Sequence, residues 1–371
     1  MLRILHVVHS MGCGGIETSL MKLHRKIDKN IIQFDYYSYR ENDYYEKEIE
    51  KLGGIVHHSR RVREMGIFKA YSSFCEFLSQ HPEYKIIHIH GVFFGTIHLL
   101  AAKRNKRISI VHSRNTNSSQ ISLESIIGKI FRYPERYLAD YFFAVSPKAG
   151  IDRFGNNVKI TFFHNGIDTQ KYLFFPEIRK AIRESRGINS ESTLILGHVG
   201  QFRSQKNHKF LIEVFRELHI KVPNSRLWLI GDGTFPLKND IQVQIHSYGL
   251  DDAVDFIGLT NHVNEYLMGM DVFAFPSFYE GLSGALMEAQ CSGLPCIASY
   301  GNQDEGIISD RVKRLSINSP NDAEIWADAI IEANTQRDNR EKYPRIIADA
   351  GFDIETTARE LQDFYFSLVK P

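Results

Sequence analysis

The sequence predicts an α/β protein built from two doubly wound domains. Three observations predict it. Short apolar runs alternate with stretches of helical spacing along the whole chain. Those runs are apolar at nearly every residue, as strands of a parallel sheet covered on both faces must be. The alternation also starts afresh past the middle, dividing the 371 residues into two series. Two domains suit that length at roughly 100–200 residues each.

In the first series, strands are expected at 2–9, 32–39, 54–58, 86–90, 107–112, 141–145 and 159–163, with helical patterns such as 17–28 and 121–138. In the second, strands are expected at 194–199, 226–231, 254–257, 271–276, 294–299 and 313–317. Helical patterns at 206–222, 284–292, 322–334 and 355–368 separate or follow them. Turn and charge signals over 166–192 place the seam there. The expected organisation is a first domain at 1–170, a linker at 171–189 and a second domain at 190–352. A last helix within 353–371, with Asp353 as its cap, is expected to return to the first domain.

The composition is that of an ordinary soluble globular protein, with 43% hydrophobic and 24% charged residues. A net charge of +1 gives no whole-molecule attraction to nucleic acid. Cys13, Cys75, Cys291 and Cys296 show no C-x-x-C spacing and read as reduced thiols of a cytosolic protein. The opening "MLRILHVVHS" is interrupted too soon for a signal peptide. No window holds the roughly 18 uncharged apolar residues of a membrane span.

In open α/β sheets, ligands sit beyond the carboxyl ends of the strands. Two such domains facing one another predict a central cleft, and most of the informative motifs follow predicted strands. In "YEGLSGALMEAQCSG", Glu280 and Glu288 flank a small-residue turn and a helix start. Eight helical intervals rise about 12 Å, roughly the reach of a nucleoside diphosphate. Carboxylates can grip diols. The amides of Leu282, Ser283, Gly284 and Ala285 open the helix, where free N–H groups and the dipole favour an anion. The same spacing also fits one turn glutamate and one surface glutamate.

In "VGQFRSQKNH", Arg203 and Lys206 precede a helix and can neutralise a diphosphate. They also fit a solvated basic helix start. "MGCGGIE" offers Gly12, Gly14 and Gly15, but Glu17 occupies the third glycine position of a dinucleotide fingerprint. His88, His90 and His112 end strands, and His88 and His90 show no third metal ligand, so no metal site is expected.

The block "FPSFYEGLSGALMEAQCSGLPCIAS" resembles the signature of retaining glycosyltransferases with the GT-B fold, in the large family 4 with its E-x7-E motif. The resemblance covers nearly the whole chain and is nearest to bacterial enzymes of capsular or exopolysaccharide synthesis. It implies two Rossmann-like domains, with the nucleotide-sugar held mainly by the second. By resemblance Glu288 holds the ribose, Glu280 faces the donor sugar, and the amides of 282–285 meet phosphates and sugar. Lys206 carries over directly. The family arginine normally follows the glycine directly, where Gln201 stands, so Arg203 would approach from another angle. Gly14 and Gly15 would admit the donor's phosphate and sugar, and His112, beside Arg114, would lie close to that sugar. Loops carrying Gly231, Asp232 and Gly258 would border phosphates and base, and "HNGID" with Asn165 and Gly166 would act as a hinge.

The resemblance thus implies sugar transfer from a nucleoside diphosphate, UDP foremost, to a glycan or polyprenyl-diphosphate-linked acceptor. Configuration is retained by front-face attack. No cofactor or metal is expected, since no D-x-D pair stands at a strand end. Read from the residues themselves, basic and partly apolar stretches at 57–71 and 126–138 fit an anionic leaflet at the inner face of the plasma membrane, and equally a solvated helix face. Rival readings are a nucleotide-sugar epimerase or phosphorylase on the same fold, a non-catalytic sugar-nucleotide-binding subunit, and, more remotely, a nicotinamide oxidoreductase.

Overall fold

The computed structural model describes residues 1–12, 14–114, 128, 130–233 and 236–369. Most of the helical pattern expected at 121–138, and Lys129 within it, lies outside the described residues, as do Cys13, Thr234 and Phe235. The chain forms two compact units, Met1–Gly166 with Gly351–Pro371, and Ile167–Ala350.

The first unit holds seven strands: β1 (Leu2–Val7), β2 (Ile32–Ser38), β3 (Val56–His58), β4 (Tyr84–His90), β5 (Ile108–Ser113), β6 (Tyr141–Ala144) and β7 (Ile160–Phe162). Their order is β3-β2-β1-β4-β5-β6-β7, with every pairing parallel. Alternate residues of the central strands enter two cores, which is why the runs read as continuously apolar. Ile4, Phe34, Ile86 and Ile110 pack under Leu20 and Leu23 of the helix Gly15–Lys26 and Leu361 and Tyr365 of the helix Ile354–Val369. Leu5, Val7, Ile87, Ile89 and Val111 face Phe74, Leu78, Leu99 and Ala102 on the other side. Full burial of each such aliphatic side chain contributes about 1.5–3 kcal/mol.

The last helix therefore belongs to the first unit. Asp353 caps it, its Oδ2 accepting from the Thr356 amide at 3.0 Å. The helix is tied further by Lys26–Glu355 at 3.0 Å and by the Asp28 amide donating to Gln362 Oε1 at 2.6 Å. A side chain at Gly166 would collide with Ile354, so only glycine allows the two chain segments to lie this close.

The second unit has β8 (Leu194–Val199), β9 (Ser225–Ile230), β10 (Val254–Gly258), β11 (Val272–Phe275), β12 (Cys296–Ser299) and β13 (Val312–Leu315). Their order is β10-β9-β8-β11-β12-β13, again parallel throughout. Leu196, Leu227, Val272 and Ile297 pack against Leu211 and Phe215 of the helix His208–Lys221 and Trp326 and Ile330 of the helix Asp322–Asn334.

The segment 171–189, expected as a linker, carries the helix Pro176–Glu184 and packs within the second unit. The reason is a buried ion cluster. Asp271, fully buried before β11, takes Arg179 at 2.7 Å, Arg183 at 3.2 Å and Arg337 at 3.2 Å. It also accepts from the Ile195 amide at 2.8 Å. The charges of "PEIRKAIRE" that suggested solvent exposure instead fasten this helix to the sheet. Asp271→Ala leaves buried guanidinium uncompensated and is expected to cost about 3–5 kcal/mol in urea unfolding. A loss below about 1 kcal/mol would show that the cluster does not hold the helix.

Candidate active site

In the second sheet the winding reverses between β8 and β11. The loops leaving their carboxyl ends are therefore the place where an open α/β sheet accepts a ligand. The first loop spans 200–207 and the second 276–283. Asn207, at φ 55°, takes the left-handed conformation that asparagine tolerates better than most residues, and it turns the chain into the helix His208–Lys221.

Three contacts join the two loops. Phe278 N donates to Gln205 O at 2.9 Å, Gln205 Nε2 donates to Tyr279 O at 2.8 Å, and Lys206 Nζ donates to Glu280 Oε1 at 2.8 Å. The ammonium also lies 4.5 Å from the Phe275 ring centroid, within cation–π range. The Lys206 and Glu280 side chains are only 17% and 9% exposed, so the pair is shielded on most sides. Behind it the Glu280 amide donates to Gly301 O at 2.9 Å.

Directly after this loop begins the helix Gly284–Cys291, with Ser283 at its N-cap and no side chain capping it. Its first amides have no intrahelical acceptor, and its first turn carries no acidic residue. Side chains built at Gly281 or Gly284 would meet nothing within 4 Å. The protein's own packing leaves that space open beside an electropositive helix end. Glu288 follows one turn on and is hydrogen-bonded by the buried Tyr172 hydroxyl. The helix is pinned by Gln290, fully buried, which donates to Gly306 O at 2.7 Å and accepts from the Ile308 and Ser309 amides at 2.8 and 2.9 Å.

The neighbouring loops close tightly. Gly231, at φ 137°, abuts the Gly200 carbonyl so closely that any side chain would collide. Its amide donates to Gly258 O at 3.0 Å. Asp232 is paired with Lys238 at 2.9 Å, which lowers its pKa. Arg203 is exposed and forms no ion pair among the described residues.

Comparisons with known proteins show the family and the fold. Residues 13–171 match the model of Glycosyltransferase Family 4, and residues 178–348 that of Glycosyl transferases group 1. EpsF of Bacillus subtilis (strain 168), named as a glycosyltransferase, is 32% identical over 98% of this chain and 96% of its own. The chain belongs to the group 1 glycosyltransferases. An Escherichia coli relative, UDP-Gal:alpha-D-GlcNAc-diphosphoundecaprenol alpha-1,3-galactosyltransferase, is 23% identical over 79% of this chain and 78% of its own. Among solved structures, Anabaena HepE in complex with UDP is similar in fold, with a TM-score of 0.81 at 17% identity over 98% of this chain and 100% of that one. The fold is GT-B, two parallel-sheet Rossmann-like units.

In this glycosyltransferase Lys206 meets Glu280, and Gly231 lies against Gly200 and Gly258, while three further residues contact the same loops and helix. Gln205, Tyr172 and Gln290 were not singled out from sequence. Gln205 adjoins Lys206 in the motif, so proximity was its one signal. Tyr172 and Gln290 are identified by tertiary contact alone.

The first unit departs from expectation. Glu17 folds over the start of the helix Gly15–Lys26, where its carboxylate fills the space beside Gly14 and accepts from Ser10 Oγ at 3.0 Å. That helix end already has its negative charge, which disfavours a phosphate at Gly14, whereas Gly15 faces open space. His112 is 2% exposed, with its Nδ1 3.3 Å from His88 Nε2 and its Nε2 buried without a hydrogen-bond partner among the described residues. The cause is strand parity: His6, His88, His90 and His112 point to one face, beneath the final helix.

There Tyr365 Oη lies 2.5 Å from His88 Nδ1. Arg114 Nε donates to His90 Nδ1 at 3.4 Å, so His90 carries its proton on Nε2 and donates to His6 Nδ1 at 2.8 Å. Arg114 also donates to Ser19 Oγ at 2.9 Å and Asn165 Oδ1 at 2.8 Å. Asn165, expected as a hinge, is thus anchored within the first unit. His6 supplies the third imidazole that the sequence did not disclose, its donor atom within 4.8 Å of those of His88 and His90. The set does not suit a dication, because the buried Arg114 guanidinium already stands against His90, with no carboxylate beside it among the described residues.

Burial holds His6, His88, His90 and His112 well below 6.5, His98 at about 4 and His24 at about 3. They stay neutral when folded but take protons below pH 6.5 when unfolded, so stability is present at neutral pH and lost as pH falls. Each contributes up to about 1.4 kcal/mol per pH unit. The unfolding temperature should drop steeply between pH 7 and pH 5. A flat profile over that window would contradict the buried-neutral assignment.

Proposed function

We infer that this glycosyltransferase moves a sugar from a nucleoside diphosphate, UDP foremost, to a hydroxyl of a glycan or lipid-linked acceptor in cell-surface polysaccharide synthesis. One observation carries the reading: the Lys206–Glu280 pair joins the two loops of the β8/β11 reversal beside the uncapped helix Gly284–Cys291. A diphosphate fits there against the Lys206 ammonium and the amides of residues 282–285. Arg203, exposed and without an ion pair among the described residues, can swing toward the same charge. Glu288, oriented by Tyr172, accepts the ribose hydroxyls. Gly231, Asp232 and Gly258 border the nucleotide mainly through backbone, since the Asp232 carboxylate is engaged by Lys238.

As the bond to the leaving phosphate breaks, negative charge grows on that phosphate. Lys206 and the helix amides supply the stabilisation, and no metal ion is required for it. The Glu280 carboxylate pairs with a lysine and not with a second carboxylate. The nucleophile-and-acid pair of retaining glycosidases is therefore missing from its described surroundings. Retention then proceeds by front-face attack, the departing phosphate taking the acceptor's proton. Glu280 stabilises the cationic sugar and grips its hydroxyls. His112 acts indirectly, by fixing the strand ends of the first unit.

No helix among the described residues is long and apolar enough to cross a membrane. Attachment to the inner face of the plasma membrane is supported by Phe68, 89% exposed, and Ile67, 43% exposed, beside Arg60, Arg61, Arg63 and Lys69.

A transfer assay with radiolabelled UDP-sugars and calorimetry with UDP test the reading together. Glu280→Gln should lower turnover at least about 100-fold while UDP affinity changes less than about threefold. Lys206→Ala should weaken UDP about tenfold or more. Normal turnover by Glu280→Gln, or unaltered UDP affinity in Lys206→Ala, would remove the residue concerned from its role. Tyr172→Phe should weaken UDP about three- to tenfold by freeing Glu288. Unchanged affinity would show that Tyr172 does not orient it.

A further inference from the structure

Beneath the Lys206–Glu280 pair lies a buried histidine that the donor chemistry leaves unused. His198 is the last residue but one of β8, directly before the loop 200–207, and is fully buried. Its Nδ1 lies 2.9 Å from the carbonyl oxygen of Ala274 on the neighbouring strand β11. A carbonyl only accepts, so Nδ1 carries the ring proton and Nε2 is a bare lone pair. That nitrogen is buried and has no hydrogen-bond partner among the described residues. Leaving a buried acceptor unmatched is costly, so a donor is called for.

The imidazole stays neutral. Burial holds its pKa well below 6.5, and His208 and Lys206 add to the effect. His208 packs edge-on against the ring, with centroids 4.8 Å apart, yet does not take the lone pair. Its own pKa is held at about 4 by burial and by Lys206.

Gly200 shows where the lone pair is directed. A side chain built there would stand 3.0 Å from His198 Nε2 and 3.3 Å from both Cγ and Cδ of Lys206. The bare glycine leaves one shared space between the acceptor and the lysine stem. Both groups also rest on Phe275. The His198 ring is stacked at 5.6 Å between centroids, and the Lys206 ammonium is 4.5 Å from the same Phe275 centroid. The ammonium has three N–H groups to place, and among the described residues it donates to Glu280. When a diphosphate draws it from that carboxylate, it needs another acceptor. A neutral, proton-free nitrogen supplies one without cancelling the charge that the diphosphate requires.

We propose that His198 is a positioning residue for Lys206: its Nε2 accepts from the ammonium in the donor complex, holding the charge over Phe275 against the diphosphate and freeing Glu280 for the sugar. This rests on the reading of Lys206 as the diphosphate's partner. Three substitutions separate the two ring nitrogens. His198→Asn can keep the donation to Ala274 but offers nothing at the Nε2 position. His198→Gln can place its amide oxygen there, and His198→Phe keeps the ring alone.

Calorimetry with UDP on the full chain tests the proposal, with Lys206→Ala measured beside the native protein. His198→Asn and His198→Phe should weaken UDP about three- to tenfold, and His198→Gln less than about twofold. In the Lys206→Ala background, His198→Asn should add less than about twofold, because it acts through the lysine. Unchanged affinity in His198→Asn or His198→Phe, or an equal loss in His198→Gln, overturns the proposal. Either result would leave the ring or its bond to Ala274 as all that matters. A full His198→Asn effect in the Lys206→Ala background overturns it too. These failures, with Lys206→Ala itself weakened as expected, strike the proposal alone. Unaltered UDP affinity in Lys206→Ala strikes the donor reading, and this proposal with it.

Discussion

The reversal of strand order between β8 and β11 is the constraint on which the candidate site depends. Two adjacent parallel strands that continue in opposite directions around the sheet must send their loops apart. The cross-loop contacts of Gln205 and the Lys206–Glu280 pair draw the loops together, with the ammonium resting on Phe275. Both charges are thereby placed at one point, next to a helix whose first amides are uncommitted. The ligand-binding character of the second unit follows from this local balance. A cation and an anion neutralise each other at rest, yet each has a natural partner on a nucleotide-sugar.

The first unit solves a different problem with similar means. Its sheet buries four histidines and one arginine on a single face, where the described residues place no carboxylate. Each imidazole is neutral, and the direction of each hydrogen bond from Arg114 to His6 follows from the one before it. Such a polar core ties strand ends, the final helix and Asn165 together.

Much of this was legible in the sequence. The central strands are apolar runs, so burial on both faces announces them, whereas the edge strands β3 and β13 are short and partly exposed; the motifs around Lys206, Glu280 and Glu288 follow strands as a ligand site must. The parts that escaped depend on distant partners. Asp271 reads as a strand-edge acid until three arginines from two other segments reach it. Pro176–Glu184 reads as a charged linker for the same reason. His112 reads as a strand-end histidine, and only the pairing of β4 with β5 shows that its neighbours bury it. Glu17, noted for spoiling a fingerprint, turns out to close the helix end that the glycines were expected to offer.

Hydrogen exchange of the backbone amides, with and without UDP, tests the central claim most directly. Protection should rise at 281–286, where the helix opens, and at 200–207, where Lys206 lies, while 8–15 in the first unit changes less. UDP binding that protects 8–15 and leaves 281–286 unaltered would contradict the account, because the nucleotide would then lie away from the β8/β11 reversal.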